Sequence, residues 1–317
     1  MILVGSVLSG RKDSILNREK RRAELYGLLG DLPPRNYRVS SRLISKDERD
    51  DFILGKLVLD LNGIEPVPAY FITPKETKEK KPVILFNHSH GGYYHVGKEE
   101  VLKGAPYSYK KPYAKELTEE GYSVLSIDAW AFGERSGRTE GEIFKEMLWK
   151  GQVMWGMMVF DSIKAIDYLF TRKDVDTERI GTIGMSMGST MAWWTAALDE
   201  RVKVCIDICA MTDFHTLIEF GGLEEHSVYY YVPNLLKRFS TAEINALICP
   251  RPHLSLNGIY DRVTPEKGLD LINEELKKVY QEAGVEERFE LKKYFVAHLE
   301  TAEMRSEATD FLNKWLK

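Results

Sequence analysis

Glu178–Leu198, ERIGTIGMSMGSTMAWWTAAL, begins with a short apolar run of strand character and ends in a helix-forming one, with Gly184-Met185-Ser186-Met187-Gly188 between them. A strand passing at once into a helix leaves only those residues for a sharp corner. A serine at such a corner is held in a strained backbone with its hydroxyl exposed, and flanking glycines withhold side chains that would strike the adjoining chain. The pentad G-x-S-x-G alone is common; between a buried strand and a helix it is far more specific.

Further short apolar runs lie on either side: VILFN (83–87), SVLSI (123–127), IGTI (180–183), VCIDIC (204–209), HLSLN (253–257) and FELKKYF (289–295), separated by helical or loop material. Nearly continuous apolar strands alternating with helices predict a parallel sheet covered on both faces. Before them, KLVLDLNGIEPVPAYFI holds two β-rich runs around Asn62-Gly63, a pair that tolerates the positive φ of a tight hairpin. This predicts antiparallel strands at one edge. The lysine- and glutamate-rich PKETKEKKP that follows reads as a surface loop.

The fold class expected is therefore α/β: a mostly parallel doubly wound sheet with antiparallel N-terminal edge strands and an N-terminal helical extension over 1–40. In that extension Leu16, Ala23, Leu25, Leu28 and Leu29 form an apolar side that Gly30 and Pro33-Pro34 terminate. Arg18, Lys20, Arg21 and Arg22 read as a solvated face. With no repeat and no low-complexity linker, residues 1–317 read as one domain. Two intervals exceed a simple crossover, 134–176 and 213–247, and long loops at the carboxyl ends of parallel strands are where such sheets place ligand sites. The first reads as one long Met- and Trp-rich helical stretch packed on the sheet, with Met147, Trp149 and Trp155 as residues that could reach a ligand.

Composition bounds the partners. The 317 residues are 44% hydrophobic and 29% charged, as in ordinary globular proteins, and the net charge of −4 offers no global basic field for a nucleic acid. The apolar start MILVGSVL gives way to charges after eight residues, so no export signal is read, and no apolar run approaches the ~20 residues a bilayer span needs. Cys205 and Cys209, in one strand, would lie about 13 Å apart, too far to bridge. Free thiols, together with these absences, point to a cytoplasmic protein without membrane or nucleic-acid partners, acting on a small molecule as a monomer or a homo-oligomer.

A serine hydroxyl is a weak nucleophile at neutral pH, so chemistry at Ser186 requires a base and a carboxylate that orients it. In this architecture the chain order is serine, acid, histidine. Asp261 falls just past the strand of HLSLN and His298 between the last strand and the last helix, both on the serine's side of the sheet. Asp213, which also follows a strand, is the rival acid. Asp207 sits inside a strand and His253 opens one; His215 and His226 lie in the 213–247 interval without the required position. Developing negative charge on a carbonyl oxygen needs backbone N–H donors. Met187 supplies one, and the loop His88-Ser89-His90-Gly91-Gly92 after VILFN the other, from His90 or alternatively Gly91. His88, His90 and His95 also permit a metal reading, but the residues between them bring no carboxylate, and no metal or cofactor is expected.

These motifs resemble the α/β-hydrolases of the dienelactone hydrolase and acetyl xylan esterase-like branch. The similarity runs in order through LYGLLGDLPP, NHSHGG, SIDAWAFGERSG, IGMSMGSTMAWWTAALDERVK, YYYVPNLLKRF, CPRPHLSLNGIYDRVTP and AHLETAEMRSEATDFLNKWL. It implies Ser186 as nucleophile, Asp261 as acid, His298 as base and NHSHGG as the oxyanion loop. The sequence departs where Ala297, rather than glycine, precedes His298. The activity expected is a serine hydrolase of carboxylic esters with a small acyl group; a peptidase, a thioesterase or a non-catalytic ligand-binding homologue on the same fold is the alternative. Tyr93, Tyr94, Trp130, Phe132 and Tyr229–Tyr231 are candidate pocket walls. Asp128 and Glu134-Arg135 are expected in structural ion pairs.

Overall fold

A computed structural model describes residues 17–75 and 79–317. The N-terminal apolar run and Leu16 lie outside those residues, as does part of the surface loop before Lys81. In chain order the elements are a helix α1 over residues 17–27, the strands β1 Ser40–Glu48, β2 Phe52–Asp60, β3 Val67–Pro74 and β4 Lys81–Asn87, and the helices α2 Glu100–Lys103 and α3 Tyr113–Glu119. After them come β5 Ser123–Ile127, α4 Glu140–Trp149, α5 Met154–Thr171, β6 Val175–Met185, α6 Met187–Leu198, β7 Val202–Ile208, α7 Phe214–Glu219 and α8 Thr241–Ala246. The chain closes with β8 His253–Gly258, α9 Glu266–Glu282, β9 Phe289–Tyr294 and α10 Ala302–Leu316.

Among the described residues nine strands join one open sheet in the order β1-β2-β3-β5-β4-β6-β7-β8-β9. β1, β2, β3 and β5 pair antiparallel, and every pairing from β5 to β9 is parallel. Successive side chains of a strand point to opposite faces. Accordingly, Val83 and Leu85 of β4 join the core under α5, α6 and α9, while Ile84 and Phe86 join the core under α3 and α10. Burial on both faces is what made these strands read as continuous apolar runs. The same alternation explains β8, whose Leu254 and Leu256 pack under α10 while His253, Ser255 and Asn257 form a buried polar row. Asp207 holds that row together, accepting from Ser255 Oγ at 2.7 Å and pairing with His253 Nε2 at 2.7 Å.

Four expectations are corrected. The antiparallel edge holds three strands: β1 has no apolar alternation because it is mostly exposed at the sheet margin. The turn between β2 and β3 is longer than a two-residue hairpin. Leu59 pairs with Val67, and within the loop Asn62 is buried with Nδ2 donating to Asp161. The helical interval over 134–176 is broken between α4 and α5, where Gly151 takes a φ of 71°. Gly30 bridges to Gln152 there, and a Cβ on Gly156 would lie 2.1 Å from Leu29 O, so the end of the α1 segment crosses against α5.

The basic face of α1 is likewise not simply solvated, although Lys20 is exposed and so is Ala23 from the expected apolar side. Arg22 donates to Ala197 O and Leu247 O, both at 3.0 Å, and Arg18 to Cys249 O at 2.9 Å, while Arg21 lies over the Phe239 ring. The last carbonyls of a helix lack intrahelical donors and carry partial negative charge. The arginines satisfy such carbonyls at the ends of α6 and α8, acceptors that side-chain periodicity cannot reveal.

Candidate active site

β6 runs into α6 through Ser186, whose φ of 58° and ψ of −122° fall where L-residues are strained, at about 1–3 kcal/mol. Ser186 N–H donates to Ile208 O at 2.9 Å and Thr190 N–H to Ser186 O at 3.1 Å, so the neighbouring strand and the first helical turn together hold the corner. A Cβ on Gly184 would lie 2.4 Å from the Gly188 carbonyl, and one on Gly188 would lie 2.1 Å from Asn87 O. Backbone cannot yield as a flexible side chain can. Gly188→Ala is therefore expected to cost about 1–3 kcal/mol or more by overpacking, read as a lower unfolding midpoint in urea; an unchanged midpoint would show that the corner has room.

Asp261 follows the end of β8 and His298 the end of β9. Asp261 is 3% exposed; its Oδ1 accepts Val263 N–H at 3.0 Å and its Oδ2 lies 2.7 Å from His298 Nδ1. With Nδ1–H donating to a carboxylate, a neutral His298 ring has no proton on Nε2 and can accept one there. Ser186 and His298 line one cavity of about 280 Å³. Among the described residues the Ser186 hydroxyl makes no hydrogen bond, so the serine-to-histidine contact is open in this conformation. Such contacts are often long in free enzymes and tighten with substrate.

The other histidines and acids have different work. Asp213 caps α7, its Oδ2 accepting Thr216 N–H at 2.8 Å and Thr216 Oγ1–H at 2.7 Å. His215 is exposed and lines no part of the cavity. His226 does line it, with Nε2–H donating to Val263 O at 3.3 Å and the ring stacked on Tyr230 at 4.5 Å. Burial lowers its pKa. Asp128 takes Lys98 Nζ at 2.8 Å, Glu134 takes the same Nζ at 2.5 Å, and Arg135 pairs with Asp161 at 2.9 Å, so this group is structural.

Met187 opens α6, where the first N–H groups have no intrahelical acceptor. Among the described residues, the amides of Met187, His90 and Gly91 have no backbone acceptor, and all three residues line the cavity. His90 Nδ1 accepts Gly92 N–H at 2.9 Å, which leaves Nε2–H to donate to Ser227 Oγ at 3.1 Å. His88 Nε2 accepts Ala129 N–H at 3.1 Å and Nδ1–H donates to Ser89 O at 2.9 Å; burial lowers its pKa, favouring the neutral ring. Both rings of the H-x-H pair thus spend their nitrogens holding chain, which a metal reading would need free.

Glu140 was not legible as a site residue. Its carboxylate accepts Tyr229 N–H at 3.1 Å and the Tyr94 hydroxyl, and sits 3.6 Å from His90 Nε2, so it ties the loop after β4 to the 213–247 interval. Burial raises its pKa, but the nearby His90 ring and the hydrogen bonds from Tyr94 and Tyr229 outweigh that and leave it lowered. Thr139, the residue before it, starts α4 in a capping box with Glu142.

Of the candidate walls, Tyr229 and Tyr230 line the cavity with Ser186. Tyr94 lines an adjoining cavity of about 500 Å³ with Ser136, Arg138, Thr139 and Glu140; the two share His226 and Ser227. Tyr93, Trp130, Phe132 and Tyr231 line neither. The loop after β5 turns back at Ala131, φ 72°, burying Trp130 beneath the Arg135 guanidinium and Phe132 against Tyr94. Tyr93 and Tyr231 stand at the surface. Trp155 stacks behind Tyr229, Met147 is buried in the core, and Trp149 is 95% exposed, so none of the three reaches the cavity.

Comparison with known proteins agrees with this architecture. The model of the dienelactone hydrolase family matches residues 67–286. YtaP of Bacillus subtilis (strain 168), provisionally named a hydrolase, is 52% identical over 299 residues, 94% of this chain and 100% of YtaP. Among solved structures, a glucuronoyl esterase from Solibacter usitatus superposes with a TM-score of 0.68 at 18% identity, over 93% of this chain and 91% of that one. Acetyl xylan esterase 1 from Thermoanaerobacterium sp. JW/SL YS485 superposes with a TM-score of 0.66 at 15% identity, over 94% and 93%. At those identities the two structures share the α/β-hydrolase fold with this chain. Among the described residues, no helix is long and apolar enough to cross a membrane.

Proposed function

Because the chain belongs to the dienelactone hydrolase family, we propose that it is a serine hydrolase cleaving carboxylic esters of small acyl groups through an acyl-enzyme on Ser186. The observation that carries this reading is the strained Ser186 sharing one cavity with an Asp261-bonded His298. His298 Nε2 takes the serine proton as Oγ bonds to the ester carbonyl carbon. The carbonyl oxygen becomes an oxyanion between the Met187 and His90 amides, and Asp261 stabilises the imidazolium. As the tetrahedral species collapses, His298 returns the proton to the departing alcohol. A water then repeats the sequence in reverse roles and frees the acid. This route uses no metal or cofactor.

The small acyl group rests on the size of the cavity, about 280 Å³ with Tyr229 and Tyr230 in its wall and Trp155 packed behind them. Acetyl esters are the first candidates, in keeping with the acetyl xylan esterase among the fold's relatives. The test is a series of p-nitrophenyl esters from acetyl to octanoyl, with a thioester and an anilide alongside. We expect kcat/KM to be highest for acetyl and at least about tenfold lower by octanoyl, since each buried methylene that finds no room forfeits roughly 1 kcal/mol and adds strain. A flat or rising series would overturn the small-acyl reading, and a dominant anilide or thioester activity would overturn the ester.

A further inference from the structure

Between the loop that carries His90 and the loop that carries His298 lies a third segment, residues 104–112. Tyr107 is its point of contact with both. On one side its hydroxyl meets Ser89 Oγ, one residue before His90, and Ser89 in turn gives both Oγ–H and N–H to Glu100 Oε2, the latter at 2.9 Å. On the other side its carbonyl accepts Glu300 N–H at 2.9 Å and its ring lies 6.2 Å from that of His298. Gly91 is moulded to it, since a Cβ there would fall 2.3 Å from the Tyr107 hydroxyl. The segment is stitched to the His298 side a second time by Tyr109 N–H on Glu300 at 2.9 Å and by Arg305 on Lys111 O at 2.7 Å.

We propose that Tyr107, anchored through Ser89 on the buried carboxyl of Glu100, is a positioning residue that fixes the His90 amide relative to the His298 ring. The proposal rests on the serine-hydrolase reading above and adds a device to it. The carbonyl oxygen and the moving proton must be served together, yet their two loops leave different strands, β4 and β9. A tyrosine spanning them holds the donor and the base at one separation, and misplacement by a fraction of an ångström is enough to lower turnover.

Glu100 makes the device responsive to pH. Burial drives its pKa up; the Ser89 bonds pull it down and the Glu300 charge raises it, leaving it at about 7. The groups facing it are Ser89 from the loop after β4, Tyr107 from the 104–112 segment, and Glu300, which is itself paired with Arg305. The neighbouring cation Lys98 is committed to Asp128 and Glu134. A carboxyl raised in this way takes its proton as pH falls through neutrality, and the neutral form is the weaker acceptor for Ser89. The chain from Glu100 to Tyr107 should therefore loosen on the acid side.

The experiment is steady-state turnover of p-nitrophenyl acetate between pH 5.5 and 9 by wild type, Tyr107→Phe, Ser89→Ala and Glu100→Gln. Tyr107→Phe removes the end of the chain and Ser89→Ala its middle link, so either decides the matter if the other fails to fold. Each is expected to lower kcat about tenfold at pH 8 with KM within about twofold, with kcat taken per active site titrated by a fluorophosphonate so that any loss of folded protein is divided out. Glu100→Gln, which removes the titrating carboxyl from the chain, is expected to make the acid limb shallower. Unchanged kcat in the folded chain-breaking variants, or an unaltered acid limb in Glu100→Gln, overturns the inference while leaving the serine mechanism standing. A wild type inactive toward every ester and unlabelled by a fluorophosphonate would instead overturn the mechanism and the inference with it.

Discussion

Ser186→Ala is expected to lower ester kcat by about 10⁴- to 10⁶-fold and to abolish covalent labelling by a fluorophosphonate. The residual rate would come from the oxyanion donors and from binding, which the substitution leaves in place, so KM should change little. Stability should hold as well. The strain at φ 58° belongs to the backbone, fixed by the Ser186 N–H bond to Ile208 and the Thr190 bond to Ser186, and alanine inherits it unchanged. The serine hydroxyl makes no hydrogen bond among the described residues, so its removal leaves no buried partner unsatisfied. Mass spectrometry of intact labelled protein checks the result: one phosphonyl adduct on wild type and none on the variant. An adduct that persists on the variant would move the nucleophile to another residue.

Asp261→Asn should lower kcat by about 10³- to 10⁴-fold while keeping the fold. The carboxylate at 2.7 Å from His298 Nδ1 keeps the proton on that nitrogen. An asparagine can turn its NH₂ toward Nδ1 and so favour the tautomer with the proton on Nε2, the atom that must accept from Ser186. It also withdraws the negative charge beside the imidazolium. The companion variant Asp213→Asn weakens only the cap of α7, a loss of about 1 kcal/mol or less in stability, with kcat within a few-fold of wild type. Comparing the two by turnover and urea midpoint separates the roles; a larger catalytic loss at Asp213 would reverse the assignment.

Most of the parallel sheet could be read in the chain because burial on both faces leaves an unbroken apolar run, as in VILFN and SVLSI. The exposed margin strand β1 was not legible for the converse reason: SSRLISKDE has no side to hide, and only pairing with β2 makes it a strand. The 134–176 interval looked like a single helix because its composition favours one throughout. The break near Gly151 answers to the crossing at Gly30, which lies far away in sequence. The basic residues of α1 looked solvated because their acceptors are carbonyls, which every residue carries and no pattern displays.

Within the site the division is similar. Ser186 and His298 followed from covalent order and strand ends, and Asp261 with Asp213 as its rival, since a carboxyl-end loop of a parallel sheet must deliver its residues to one side. Trp130 and Phe132 obeyed the same rule in position but not in direction, because the turn at Ala131 sends them inward. Glu140, Ser89, Glu100 and Tyr107 come from four separate stretches and meet only in the folded chain. The sequence by itself determined the succession of the parallel strands, the strained corner at Ser186 and the order of the three candidate reacting groups, because these depend on local periodicity and chain connectivity. Tertiary structure alone decided which aromatics wall the cavity and which buried carboxylates hold its loops, because hydrogen bonds and burial depend on neighbours in space.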